Sequence, residues 1–111
     1  MSKIFSKVKT QFEALHYYPD APEEVAFLRN KHRHIFNVIL WIQENESREL
    51  EYFMIQHKLK GVLNLFEGKD LGATSCENLA ETILEMARNT YPSREIRVEV
   101  NEDGENGCLI E

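Results

Sequence analysis

From Val8 the chain alternates, with Val8, Thr10, Phe12, Ala14 and His16 on one side and Lys9, Gln11 and Glu13 on the other. Side chains of an extended chain point to opposite faces in turn, so this pattern predicts a strand that ends with His16 on its apolar face. A second strand is expected from His32 to Gln43. There His34, Phe36, Val38, Leu40 and Ile42 alternate with Ile35, Asn37, Ile39 and Trp41, so both faces are largely apolar. Such a strand suits a sheet with helices on one side and an oligomer or barrel interior on the other. Between the two, Pro19-Asp20-Ala21-Pro22 reads as a turn, followed by Glu23 and Glu24 at the start of one or two helical turns.

After the polar turn Glu44-Asn45-Glu46-Ser47, the segment from Arg48 to Phe53 reads as a short hairpin partner. Ile55, Leu59, Val62, Leu63 and Phe66 then repeat at helical spacing, predicting an amphipathic helix from Met54 to Phe66. Glu67 to Ala73 is a loop. Thr74-Ser75-Cys76-Glu77 fits a capping box, the apolar stripe Leu79, Ile83, Met86 and Ala87 carries a second helix, and Tyr91-Pro92 stops it. Glu95 to Asn101 alternates again, with Ile96, Val98 and Val100 on one face. The segment Asp103-Gly104-Glu105-Asn106-Gly107 forms a turn, and Cys108-Leu109-Ile110 pairs back. The expected fold is an α+β domain in which two helices pack on one face of a four-stranded antiparallel sheet.

Composition narrows the partners. The chain has 111 residues, enough for a single domain with a modest core, and association with further copies would add burial. No run of about 18 apolar residues is present, so no membrane span is expected. The N-terminal segment Met1-Ser2-Lys3-Ile4-Phe5-Ser6-Lys7 lacks the apolar stretch of a secretory signal, which makes the cytoplasm the expected compartment. A net charge of −6 argues against a nucleic-acid polymer. The local basic residues, such as Arg29, Lys31 and Arg33, are few, and are expected to hold no more than one small anion. The two cysteines, Cys76 and Cys108, match no metal or disulfide spacing and read as free thiols.

The residues that carry chemistry are histidines. His32 and His34, at i and i+2 of a strand, project to one face, and His16 ends the apolar face of another strand. A polar ring there needs a partner or loses roughly 1 to 3 kcal/mol; either a metal ion or a backbone carbonyl meets the need. Three protein ligands with one open position make a zinc site of catalytic type. His57 lies off the apolar stripe of its helix, among Gln56 and Lys58, and is left out of the set.

Several of these segments together resemble the 6-pyruvoyl- and 6-carboxy-tetrahydropterin synthases. Phe12-Glu13-Ala14-Leu15-His16 resembles the family's Phe-x-Ala-x-His strand, and His32-Arg33-His34 its His-Gly-His. Ser75-Cys76-Glu77-Asn78-Leu79-Ala80 is similar to its Thr-x-Glu-Asn-Leu-Ala helix start, and Val98-Glu99-Val100-Asn101-Glu102 to its Val-x-Val-x-Glu strand end. The resemblance covers nearly the whole chain and implies that residues 1–111 form one domain of this type. It implies a tunnelling fold assembled from several copies into a barrel, such as a hexamer, and Zn2+ on His16, His32 and His34. It also implies a pterin or purine-derived small molecule held by Glu102 and Glu77. A carboxylate offers two adjacent acceptors, which match the paired N–H donors of a pterin or guanine edge. Beside so acidic a turn, a solvated Glu102 is the plainer alternative.

The sequence also departs from the family. Where the family carries its catalytic cysteine, before the histidine pair, this chain has Val25-Ala26-Phe27-Leu28-Arg29-Asn30, and Cys76 lies on a different element. The family's Asp-His pair after the first helix is missing as well, since that helix runs through Lys60-Gly61-Val62-Leu63-Asn64. Two readings follow. One is a lyase of the tetrahydropterin-synthase type using other acids, such as Glu23 or Glu24, which otherwise serve simply as helix-start residues. The other is a protein that binds a nucleotide or purine without turning it over.

Overall fold

A computed structural model describes residues 2–111. Its elements are β1 (Ile4–His16), a kinked 3-10 segment (Glu23–Arg29), β2 (His32–Glu44), α1 (Tyr52–Leu63), α2 (Cys76–Thr90), β3 (Ile96–Glu102) and β4 (Asn106–Ile110). The four strands form one antiparallel sheet in the order β1-β2-β3-β4. The expected α+β class, with helices packed against a four-stranded antiparallel sheet, is what the chain adopts.

Strand alternation decides which face is buried. Val8, Phe12 and Ala14 of β1, Phe36, Val38, Leu40 and Ile42 of β2, and Ile96, Val98 and Val100 of β3 all point to the same side and are buried. Ile55, Leu59 and Leu63 of α1 cover the β1 end of this face, while Leu79, Ala80, Ile83, Leu84 and Ala87 of α2 cover the β3 and β4 end. At about 25 cal/mol per Å2 of apolar surface removed from water, this layer is the main source of stability. The opposite face carries Ile35, Ile39 and Trp41, with Ile35 and Leu109 exposed. Among the described residues no helix lies on it, so the covering expected for the second face of β2 is not provided within the chain.

Several local expectations need correction. β1 begins at Ile4 rather than Val8, because Ile4 to Ser6 pair with Ile42 to Glu44. The hairpin partner expected over 48–53 is absent. Instead the Glu51 carboxylate accepts from the Phe53 backbone N–H at 2.8 Å and caps α1, leaving Tyr52 and Phe53 exposed on its first turn. α1 correspondingly ends at Leu63, ahead of Phe66. The capping box of α2 sits one residue later than expected: Ser75 is the N-cap and Asn78 its reciprocal partner. That shift frees the side chain of Glu77, which is exposed. At the far end of the sheet, Gly107 passes so close to β3 that a β-carbon there would collide with the Val100 carbonyl, which explains glycine at this strand position.

The loop after β2 is tied down by one ion pair. Arg94 donates to both Glu49 oxygens, at 2.7 and 3.2 Å, and to the Gln43 carbonyl at 3.0 Å. The Arg94 bonds first, and the Asn45 backbone N–H second, hold the Glu49 carboxyl at about 2 instead of its ordinary 4.5. A carboxyl whose pKa is lowered by folding adds stability above its unfolded value and loses it as pH falls toward the folded one. The melting temperature of the Glu49→Gln variant should therefore fall below that of the wild type above pH 4.5, and the gap should close as pH drops toward 2. Circular dichroism melts across this range test it; a gap independent of pH would contradict the assignment.

Candidate metal centre

The β1–β2 register pairs His16 with His32 and Ala14 with His34, so all three imidazoles emerge on the helix-bearing face at one end of the sheet. Ring centroids lie 4.6 Å apart for His16 and His32, 5.1 Å for His16 and His34, and 4.8 Å for His32 and His34. The fully buried Phe36 ring forms the floor, 5.1 Å from His16 and 5.8 Å from His34. One ligand atom from each histidine lies within 4.8 Å of the other two, a group able to hold a metal ion. His16 is buried and the other two are partly so.

Each ring is oriented through its Nδ1. His16 Nδ1 lies 2.8 Å from the Thr74 carbonyl, His32 Nδ1 2.8 Å from the Asn30 carbonyl, and His34 Nδ1 2.6 Å from an oxygen of Asp103. Carbonyl and carboxylate oxygens only accept, so each Nδ1 carries the proton and each neutral ring presents a lone pair at Nε2. Asp103 qualifies as an acceptor because the Ile35 backbone N–H, and then His34, hold its carboxyl below the usual carboxylate range. The Nε2 atom of His34 is buried and has no hydrogen-bond partner, and the buried Nε2 of His16 meets only a carboxylate oxygen of Glu102. Buried polar atoms without partners are uncommon and costly, and a metal ion would satisfy them.

The path of the chain explains the outer partners. Residues 67–72 run along the free edge of β1, with Leu15 donating to the Lys69 carbonyl, Leu71 to the Leu15 carbonyl and Tyr17 to the Gly72 carbonyl. This brings Thr74 to His16. Asp103 follows β3 in a left-handed conformation, φ 58°, that turns its carboxylate back across the sheet toward His34. The pattern of apolar positions marks 103–107 only as a turn. An acidic residue directly after the strand motif that ends at Glu102 was the available signal for Asp103.

Glu102 does not stand apart as a free anchor. Its carboxylate reaches into the histidine group, one oxygen 3.1 Å from His16 Nε2 and the other 3.7 Å from His34 Nε2. The contact with Glu102 raises the His16 pKa against the lowering effect of burial, and His16 in turn lowers that of Glu102. A cavity of about 500 Å3 opens beside the group, lined by His16, His32 and Glu102, by Tyr17, Tyr18 and Leu28 from the first connection, and by residues of the α2 start. Its size is that of a small-molecule site. Glu77 lines this cavity, as does Cys76, which the chain order alone had set apart. Burial first, and then the nearby Glu102 charge, push the Cys76 thiol up to about 12, so it stays protonated.

Other expected participants lie elsewhere. Glu23 pairs with Arg29 at 3.2 Å, and neither Glu23 nor Glu24 lines the cavity. Lys31 pairs with Asp70 at 2.6 Å and Arg33 with Glu13 at 2.9 Å. The three basic residues expected to hold an anion are thus each matched with an acid, and none faces the cavity. His57 is exposed on α1. Cys76 and Cys108 are free thiols, as expected. No helix among the described residues is long and apolar enough to cross a membrane.

The fold and the site together define an α+β sheet protein with a three-histidine group suited to a metal ion. No protein-family model matches the chain, and no curated protein matches it.

If Asp103 orients His34, Asp103→Asn keeps a residue that tolerates the left-handed backbone but loses one acceptor. Metal affinity, read by competition with a chromophoric chelator, should fall by about 10- to 100-fold. Unchanged affinity would exclude the orienting role.

Proposed function

We propose that this chain is a zinc-binding protein of the tetrahydropterin-synthase type that takes a pterin or purine-derived small molecule. The observation that carries the metal half of the reading is the common orientation of the three imidazoles. All three donate through Nδ1, which leaves the Nε2 lone pairs of His16, His32 and His34 for one ion. A set of three neutral imidazoles suits zinc, whose preferred ligands include histidine nitrogen. Bound zinc would supply Lewis-acid polarisation of substrate oxygens.

The ligand half rests on the motif resemblance and on the cavity. Tyr17, Tyr18 and Leu28 offer flat and apolar surface for a fused ring, and the exposed Glu77 carboxylate offers paired acceptors for an amino-pyrimidine edge. The uncovered sheet face bearing Ile35, Ile39 and Trp41 is consistent with assembly of several copies into a barrel. One observation favours binding without turnover over lyase activity. The stretch before the histidine pair, Val25 to Asn30, holds no thiol, and no Asp-His pair follows the end of α1, Lys60 to Leu63, so the nucleophile and relay of the synthases are missing.

Elemental analysis of the purified protein tests the metal assignment, alongside a variant carrying His32→Ala and His34→Ala. One zinc ion per chain in the wild type and none in the variant is the expected result. A screen of pterins and purine triphosphates, read by direct binding and by product formation, then separates a ligand-binding protein from a lyase. Absence of metal from the wild type, even after incubation with zinc, would overturn the proposal.

A further inference from the structure

We infer that Glu102 is a fourth ligand of the metal centre and closes, in the resting protein, the coordination position that His16, His32 and His34 leave open. This rests on the three-histidine reading above and adds to it a carboxylate that the motif pattern assigns to the organic ligand instead.

The placement comes from register. β3 pairs Phe36 with Glu102, so Glu102 stands next to the β2 segment that carries His34, on the same face of the sheet. Its two oxygens divide between two rings, 3.1 Å from His16 Nε2 and 3.7 Å from His34 Nε2. Donors bound at roughly 2.0 to 2.2 Å to one tetrahedral zinc ion lie about 3.3 to 3.6 Å from each other. One contact falls just under that spacing and the other just over it, each made by a different oxygen of the one carboxylate.

An ordinary ion pair explains the arrangement less well. Both rings already donate through Nδ1, to Thr74 and to Asp103. In their neutral forms each Nε2 lone pair then faces a carboxylate oxygen, an arrangement that is repulsive unless a cation lies between them. Both Nε2 atoms are buried, and one metal ion set between the rings and the carboxylate relieves both contacts. With Glu102 engaged in this way, the exposed Glu77 on the first turn of α2 becomes the cavity carboxylate available to an amino-pyrimidine edge.

Cobalt(II) in place of zinc makes the coordination visible. The full chain is loaded with Co2+, its absorption spectrum is titrated with thiocyanate, and Co2+ affinity is measured for the wild type and for Glu102→Gln. A closed centre predicts a wild-type spectrum that thiocyanate leaves unchanged. It also predicts a variant whose spectrum shifts with thiocyanate and whose affinity is lower by at least the roughly 10- to 100-fold typical of losing an outer partner. A wild-type spectrum that responds to thiocyanate overturns the inference and leaves the three-histidine centre standing. The wild-type titration decides this even if the variant does not fold. Failure of the wild type to bind Co2+ overturns the three-histidine reading and this inference together.

Discussion

The antiparallel pairing of β1 with β2, unbroken from Ile4 against Glu44 to His16 against His32, is the constraint on which the rest depends. Because side chains alternate, a slip of one residue would carry one strand's whole apolar set to the other face and separate His16 from His32 and His34. The same register that buries Val8, Phe12, Phe36 and Leu40 under the helices therefore assembles the three imidazoles. Core and site are held by one decision. The stacked pair Phe12 and Phe36, with centroids 5.2 Å apart, joins them physically, since Phe36 is both core and floor of the histidine group.

A site built this way is a liability unless something occupies it. Leaving a buried polar atom unpaired costs on the order of 1 to 3 kcal/mol, and the Nε2 atom of His34 is such an atom. Against the three rings the chain sets two backbone carbonyls and the carboxylates of Glu102 and Asp103, all acceptors. With Phe36 as the floor, the carboxylates of Glu102 and Asp103 beside the three rings favour a cation among them. Local stability is given up so that the donors are already in position, as functional sites commonly require.

Much of this was legible in the chain. Alternation located β1, β2 and β3 and put His32 and His34 on one face; the same alternation put His16 at the apolar end of its strand. Helical spacing located both helices. What escaped depends on three-dimensional paths that periodicity does not encode. The reach of Glu102 follows from the register of β3 on β2, and the grip of Asp103 on His34 follows from a left-handed residue in a turn. Tyr52 and Phe53 looked like strand residues because aromatics favour strands, yet a cap from Glu51 and the cooperative gain of another helical turn outweighed that local preference. Cys76 lay far from the histidines in sequence and beside them in space, brought there by the edge-hugging loop after α1.

The central claim is that all three imidazoles are protonated at Nδ1 and present Nε2 to one ion. Long-range 1H–15N correlation spectra of the imidazoles, recorded above the raised pKa of His16 and again with zinc added, read the tautomers directly. The account predicts Nδ1–H rings for His16, His32 and His34, the minority form in free histidine, with their three Nε2 resonances moving together on zinc binding. An Nε2–H ring at any of the three positions with zinc bound would contradict it.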